Sequence, residues 1–342
     1  MKNKIINYIF IVLFFFFATM QVVYAQTQYV SVLTWWGYLD NSWISEMVDS
    51  ECGVKLSYDS YNSNEELIRR WNEGKSKYDV LIFSNTIYSA LKKEIILKNS
   101  KLYRNAEHYH PVIRQQYEKS HFPRNVAYFL HSLTGFIWNP RIINLVDTDN
   151  VVGVFQKAKS NMTVIIDDPL ETQMLLFSED SSLVDKNSIL TYHKFKKITQ
   201  NSKVFISNQL NQVYDQDNFA FAYQWSGIAI AELIKQPKYK FLINKNLSYV
   251  STDLIAQLQD NKPAACVANL FSSKKFLSKM QNDAYYFSPY GNADNISNAQ
   301  FRAIYKDFLT QISKLSWIRP ISLSQLKELN HQWDITKYEL SK

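Results

Sequence analysis

From residue 29 onward, apolar runs alternate with polar stretches of helical period, and this alternation predicts the secondary structure. Tyr29–Trp35 mixes apolar and β-branched residues as strands do, while Ser42–Ser50 carries Trp43, Ile44 and Met47 at helical spacing. Val54–Tyr61 reads as a second strand. Ser63 and Glu66 then make a capping-box signature, Leu67, Ile68 and Trp71 an apolar face, and Gly74 a helix stop. Tyr78–Ser84 is a third strand, apolar and continuous. Alternation of this kind predicts a largely parallel sheet covered by helices on both faces, with any ligand beyond the carboxyl ends of the strands.

The middle of the chain repeats the theme. Met162–Ile166, Val204–Ser207 and Phe219–Gln224 read as strands, and Pro169–Phe177 and Ser226–Leu233 as helices, which predicts a second α/β lobe. Phe129–Trp138 and Tyr239–Leu254 are rich in strand formers and are expected to cross between the lobes, forming a hinge. Helical patterns return at Phe301–Ile312 and Leu323–Trp333, interrupted by Pro320. The expected division is a signal peptide at 1–25, lobe 1 at 26–136 plus 252–300, and lobe 2 at 137–251 plus 301–342.

The signal peptide rests on Lys2 and Lys4 before the apolar run Ile9–Phe17, with Val23-Tyr24-Ala25 ahead of the cut. That run is shorter than the roughly 20 residues a membrane-spanning helix needs. Gln26 would become the first mature residue, so the thiol of a lipid-anchored protein is missing there. The expected compartment is therefore the periplasm. Net charge is +7, two units less without Lys2 and Lys4, and it is spread without a dense basic block, which argues against a nucleic-acid partner. Only 7 glycines are present, so glycine-rich phosphate loops are excluded and turns must lean on Asn and Asp. Cys52 and Cys266 are far apart with no framework spacing, and are expected to be unpaired.

Enzyme signatures do not assemble. Ser226, in Trp225-Ser226-Gly227, lacks the preceding glycine of a nucleophile elbow and any placed histidine. His108 and His110 flank Tyr109 in a polar stretch and read as a surface pair, not a metal site. No catalysis, metal or cofactor is expected. Trp35-Trp36-Gly37-Tyr38 begins where the first strand ends; its rings can finish the core or form the walls of a slot for a cation with an apolar stem. Asp167-Asp168-Pro169-Leu170-Glu171 supplies N-cap, N1 and N3 residues of a helix start that needs no ligand. The same carboxylates within one helical turn can also face a cleft and bind an ammonium group, provided both are charged against the positive helix end.

Three segments in order carry a family resemblance: Leu33-Thr34-Trp35-Trp36-Gly37-Tyr38, then Val54 to Leu67 with its Tyr58-Asp59-Ser60-Tyr61-Asn62-Ser63-Asn64-Glu65-Glu66-Leu67, then Tyr78-Asp79-Val80-Leu81-Ile82-Phe83-Ser84. The chain resembles the periplasmic spermidine/putrescine-binding proteins of polyamine ABC transporters, strongly over Val30–Ser84 and through landmarks at Asp168 to Glu171, Trp225, Asp253 and Tyr286 beyond. The resemblance implies a two-lobed periplasmic binding protein of type II, monomeric, that closes on a polyamine and delivers it to an inner-membrane ABC permease. It implies aromatic walls at Trp35, Tyr38, Trp225 and Tyr286, with Ser84 after the third strand, and acids at Asp168, Glu171 and Asp253 to pair with amines. Trp36 stands where the family usually has a small hydroxyl residue, Thr86 where tyrosine is common, and Ser251 where an aromatic precedes the acid by two. Trp36 and Thr86 are thus also expected at the ligand, in a reshaped slot. The alternatives are the same fold holding another small solute, or a periplasmic polyamine sensor for a membrane signalling protein.

Overall fold

The computed structural model describes residues 28–97, 99–178, 191–200, 202–210 and 216–342. The expected signal peptide lies outside them. Among the described residues no helix is long and apolar enough to cross a membrane.

Among the described residues ten strands form one sheet: β1 (Tyr29–Trp35), β2 (Lys55–Tyr61), β3 (Val80–Ser84), β4 (Val126–Trp138), β5 (Met162–Ile165), β6 (Lys203–Ile206), β7 (Phe219–Trp225), β8 (Lys240–Leu242), β9 (Tyr249–Gln257) and β10 (Ser316–Trp317). Their order is β2-β1-β3-β9-β4-β7-β5-β6, with β10 added to β9 and β8 to β4. Each end of the sheet is parallel, an arrangement that needs crossover connections, which helices supply between β1, β2 and β3: β1 pairs with β2 and β3, and β5 with β6 and β7. The centre is antiparallel. There β9 pairs with β3 and β4, and β4 with β7.

The two central strands belong to both halves. The start of β4, Val126–Tyr128, lies against Leu254–Ala256 of β9; after a register shift between Tyr128 and His131, its far end, Thr134–Trp138, lies against β7. The crossing strands expected from the sequence are therefore β4 and β9. The second expected segment breaks in two at Asn244, whose side-chain Oδ1 accepts from the N–H groups of Asn246 and Leu247 at 2.9 and 3.2 Å, while its Nδ2 donates to Asp149 O at 2.8 Å. His131, at the shift, is fully buried with Nδ1 2.9 Å from the Thr252 hydroxyl, and burial lowers its pKa to about 3.

The apolar core divides accordingly. One large cluster gathers β1–β3, the first part of β4 and the end of β9 with Phe271, Phe276, Phe301, Tyr305 and Phe308. A second holds Phe136, Phe155, Phe195, Phe221 and Tyr223, and a third Met162, Phe219 and Tyr239. The C-terminal helix Leu323–Leu340 touches both halves, through Leu326 in the first cluster and Trp333 in the second. The capping box expected at Ser63 and Glu66 is displaced: Ser63 accepts from Glu66 N at 3.1 Å, but the Glu66 carboxylate reaches Asn62 N at 2.9 Å.

Cys52 and Cys266 are joined in a disulfide, with Cα atoms 5.8 Å apart, correcting the expectation that they stay unpaired. Their separation of 214 residues carries no information, because β9 returns the chain to β3. The helix Lys262–Phe271 after β9 thereby packs on the helix Ser42–Cys52 after β1. A cross-link closing so long a loop stabilises by about 2–5 kcal/mol. Replacing both cysteines with serine is expected to lower the thermal unfolding midpoint by several degrees and to make it insensitive to reductant; equal midpoints for the variant and the oxidised wild type would contradict this.

Candidate functional site

One wall of the site grows from the end of β1. Gly37, at φ +83°, adopts a left-handed turn that a side chain would strain, and Tyr38 N closes it on Trp35 O at 3.3 Å. The turn sends Trp36 outward, where it is 68% exposed, and brings Trp35 and Tyr38 to one carboxylate. Trp35 Nε1 donates to Asp253 Oδ1 at 3.2 Å, and the Tyr38 hydroxyl to Oδ2 at 2.5 Å. Asp253 is placed by the β3–β9 register, directly opposite Ser84. The Trp35 ring leans on Tyr61, with centroids 4.5 Å apart, and Tyr38 lies between Phe129 and Tyr286 at 5.6 and 6.1 Å. Ser84 is occupied locally: its hydroxyl donates to Thr86 Oγ1 at 3.1 Å and accepts from Thr86 N at 3.2 Å. Both residues are buried at the edge of the group.

The other wall grows from the end of β5. Asp168 caps the helix Pro169–Leu176, accepting from Glu171 N at 2.8 Å, with Pro169 in the first turn where a missing N–H costs nothing. Glu171 points inward and is 4% exposed. Trp225 Nε1, from the end of β7, donates to its Oε1 at 2.7 Å, and Thr134 Oγ1, from β4, to its Oε2. Asp167 turns the other way, accepting from Trp333 Nε1 at 2.6 Å and pairing with Lys337 at 3.3 Å. Ser226 is structural, its hydroxyl accepting from Leu133 N at 3.2 Å.

Tyr286 joins the walls. Its ring lies where a Cβ on Gly227 would come within 2.6 Å, so only glycine lets the first turn of the helix Ser226–Lys235 approach it. The charges of Asp253 and Glu171 both bear on its hydroxyl and, after burial itself, hold its pKa above the ordinary value.

The acids are under electrostatic pressure. Burial pushes Asp253 up to about 6, against the pull of its bonds from Tyr38 and Trp35. Burial raises Glu171 as well, the neighbouring Asp168 charge adds to this, and bonds from Trp225 and Ser251 oppose it. Asp168 is raised by burial and restrained by the backbone N–H groups it caps. Among the described residues no Lys or Arg forms an ion pair with any of the three. Seven expected residues, Trp35, Tyr38, Asp168, Glu171, Trp225, Asp253 and Tyr286, thus share one cluster, Ser84 and Thr86 border it, and Trp36 stands apart. Thr134 was not anticipated as a member, since in a strand-forming run a hydroxyl gives no signal of its own; Ser251 stood out only as a departure from an aromatic wall position.

Because Asp253 keeps its proton longer in the folded chain than in the unfolded one, ligand-free stability falls as pH rises from about 4 through about 6, by on the order of 1–3 kcal/mol for a half-buried group. Asp253→Asn is expected to flatten that slope in urea unfolding between pH 4 and pH 7; an unchanged slope would contradict the assignment.

No protein-family model matches the sequence, and no curated protein does. Solved structures do. The spermidine/putrescine ABC transporter substrate-binding protein PotD of Streptococcus pneumoniae aligns at a TM-score of 0.70 with 17% identity, covering 91% of this chain and 100% of that one. The TpPotD lipoprotein of Treponema pallidum aligns at 0.71 with 13% identity over 91% and 100%. The GacH receptor of Streptomyces glaucescens, solved with acarbose, aligns at 0.69 with 10% identity over 92% and 94%. Backbones of near-equal likeness thus serve proteins solved with or named for very different ligands. The chain has the two-lobed α/β fold of periplasmic solute-binding proteins.

Proposed function

We propose that this protein is the periplasmic solute-binding component of an ABC importer, and that its interlobe cleft takes a polyamine. One observation carries the reading: Asp168, Glu171 and Asp253 converge among rings, with neutral donors as their only hydrogen-bonding partners among the described residues. Buried carboxylates without counter-charge are costly, and an ammonium group supplies what is missing. The faces of Trp35, Tyr38, Trp225 and Tyr286 would flank the methylene chain and add roughly 0.5–2 kcal/mol for each nearby cationic centre.

In this reading β4 and β9 are the hinge, with Asp253 coming from one lobe and Asp168 and Glu171 from the other. A ligand with two cationic ends would draw the lobes together. The mature chain acts as a monomer without a cofactor, performs no catalysis, and presents its closed form to a membrane permease. The likeness to the GacH receptor supports a second reading, the same fold with another small solute. A polyamine ligand is favoured over a sugar because three carboxylates gather at the site and none has a cationic partner among the described residues.

Calorimetric titration of the ligand-stripped mature protein with putrescine, cadaverine, spermidine and spermine is expected to give saturable binding of at least one. Asp253→Asn should weaken it by roughly 2–5 kcal/mol, the cost of breaking a buried charge pair. Absence of heat with all four amines would reject the polyamine reading and leave the solute to be sought among co-purifying molecules.

A further inference from the structure

Glu171 is gripped at both oxygens, and the grip comes from one cross-strand pair. Thr134 on β4 and Trp225 on β7 stand directly opposite each other in the antiparallel register. Opposed residues hold their Cβ atoms about 4.5–5.5 Å apart and send their side chains to one face, so two donors arrive side by side. Trp225 Nε1 takes Oε1 at 2.7 Å and the Thr134 hydroxyl takes Oε2. Thr134 is completely buried, its β-branch allows few rotamers, and its other flank is fixed by pairing with Tyr249 of β9. Its hydroxyl is thereby held toward the Glu171 carboxylate.

Resting on the polyamine reading above, we propose that Thr134 is a positioning residue of the cation site: with Trp225 it aims the Glu171 carboxylate at the ligand ammonium, and as a neutral donor it leaves that charge for the ligand to balance. A lysine or arginine there would satisfy the acid permanently, as Lys337 does for Asp167. Asp253 is held on the same plan, one neutral donor to each oxygen. Because β4 crosses between the lobes, Thr134 also ties the second-lobe acid to the hinge strand itself.

The groups facing Glu171 that can titrate or carry charge are Asp168 on its own helix, Asp253 on β9, and the phenols of Tyr223 on β7 and Tyr286 beyond the helix Lys274–Ala284. All are acids, so removing a donor from Glu171 favours its protonated, non-binding form and moves the pH at which affinity is lost upward.

The test compares full-length mature wild type, Thr134→Val, which keeps the branched shape but cannot donate, and Thr134→Ser, which keeps the hydroxyl. Putrescine and spermidine affinities are measured by calorimetry from pH 5.5 to 8.5, with thermal unfolding to verify folding. Valine is expected to weaken binding about ten- to a hundredfold, as for loss of a hydrogen bond to a charged group, and to shift the affinity profile to higher pH; serine should restore both. Wild-type affinity and profile in the valine variant would overturn the inference. So would a serine variant as weak as valine, because packing alone would then explain the loss. A wild type that binds neither amine would overturn the polyamine reading and this inference with it.

Discussion

A buried carboxylate, Glu171, and a half-buried one, Asp253, both held by neutral donors, are the constraint around which the cleft is organised. Each oxygen of Asp253 and of Glu171 has a partner, yet none of those partners carries a positive charge. Hydrogen bonds of this kind fix direction and recover part of the desolvation cost, but the unit charge remains. Keeping that charge is costly in the ligand-free state, as the raised pKa of Asp253 reflects. Natural chains keep such unfavourable local arrangements where a ligand later relieves them.

The sheet makes the arrangement possible. Parallel strands at each end deliver their carboxyl termini, and hence Trp35 and Asp168, to the middle, while β4 and β9 run through both halves and contribute Thr134, Ser251 and Asp253 from the crossing itself. The donors stand on elements with few alternatives: a glycine turn for Tyr38, a cross-strand pair for Thr134 and Trp225, and a close approach to Gly227 for Tyr286. The disulfide between the helices after β1 and β9 braces the wall that carries Trp35 and Asp253. Rigid walls on a two-strand connection suit a cleft that opens and closes, because the bending is confined to the connection.

Much of this was legible in the sequence, and for identifiable reasons. Trp35 and Tyr38 come at the end of a strand and Asp168 and Glu171 start a helix, which left core and cap readings open beside a ligand one; the family resemblance is what pointed them at a ligand. The resemblance also put Trp36 at the ligand, but the left-handed Gly37 turn sends it to solvent. Thr134 escaped notice because, in a run of strand formers, threonine is ordinary. Pairing of Cys52 with Cys266 depends on where β9 re-enters the sheet, a long-range fact that local patterns do not contain. The break at Asn244 arises from side-chain bonds to the backbone just after it and to the distant Asp149 carbonyl, which override the strand propensity of its neighbours.

The central claim is that the cleft answers to positive charge at two points, independently of which amine is natural. It is tested most directly by thermal unfolding at pH 7.5 with three four-carbon compounds of matched length: putrescine, 1,4-butanediol and succinate. The account predicts that the dication alone raises the unfolding midpoint, saturably, while the neutral diol and the dianion leave it unchanged. Stabilisation by the diol or the dianion equal to that by putrescine, or none by putrescine, would contradict it.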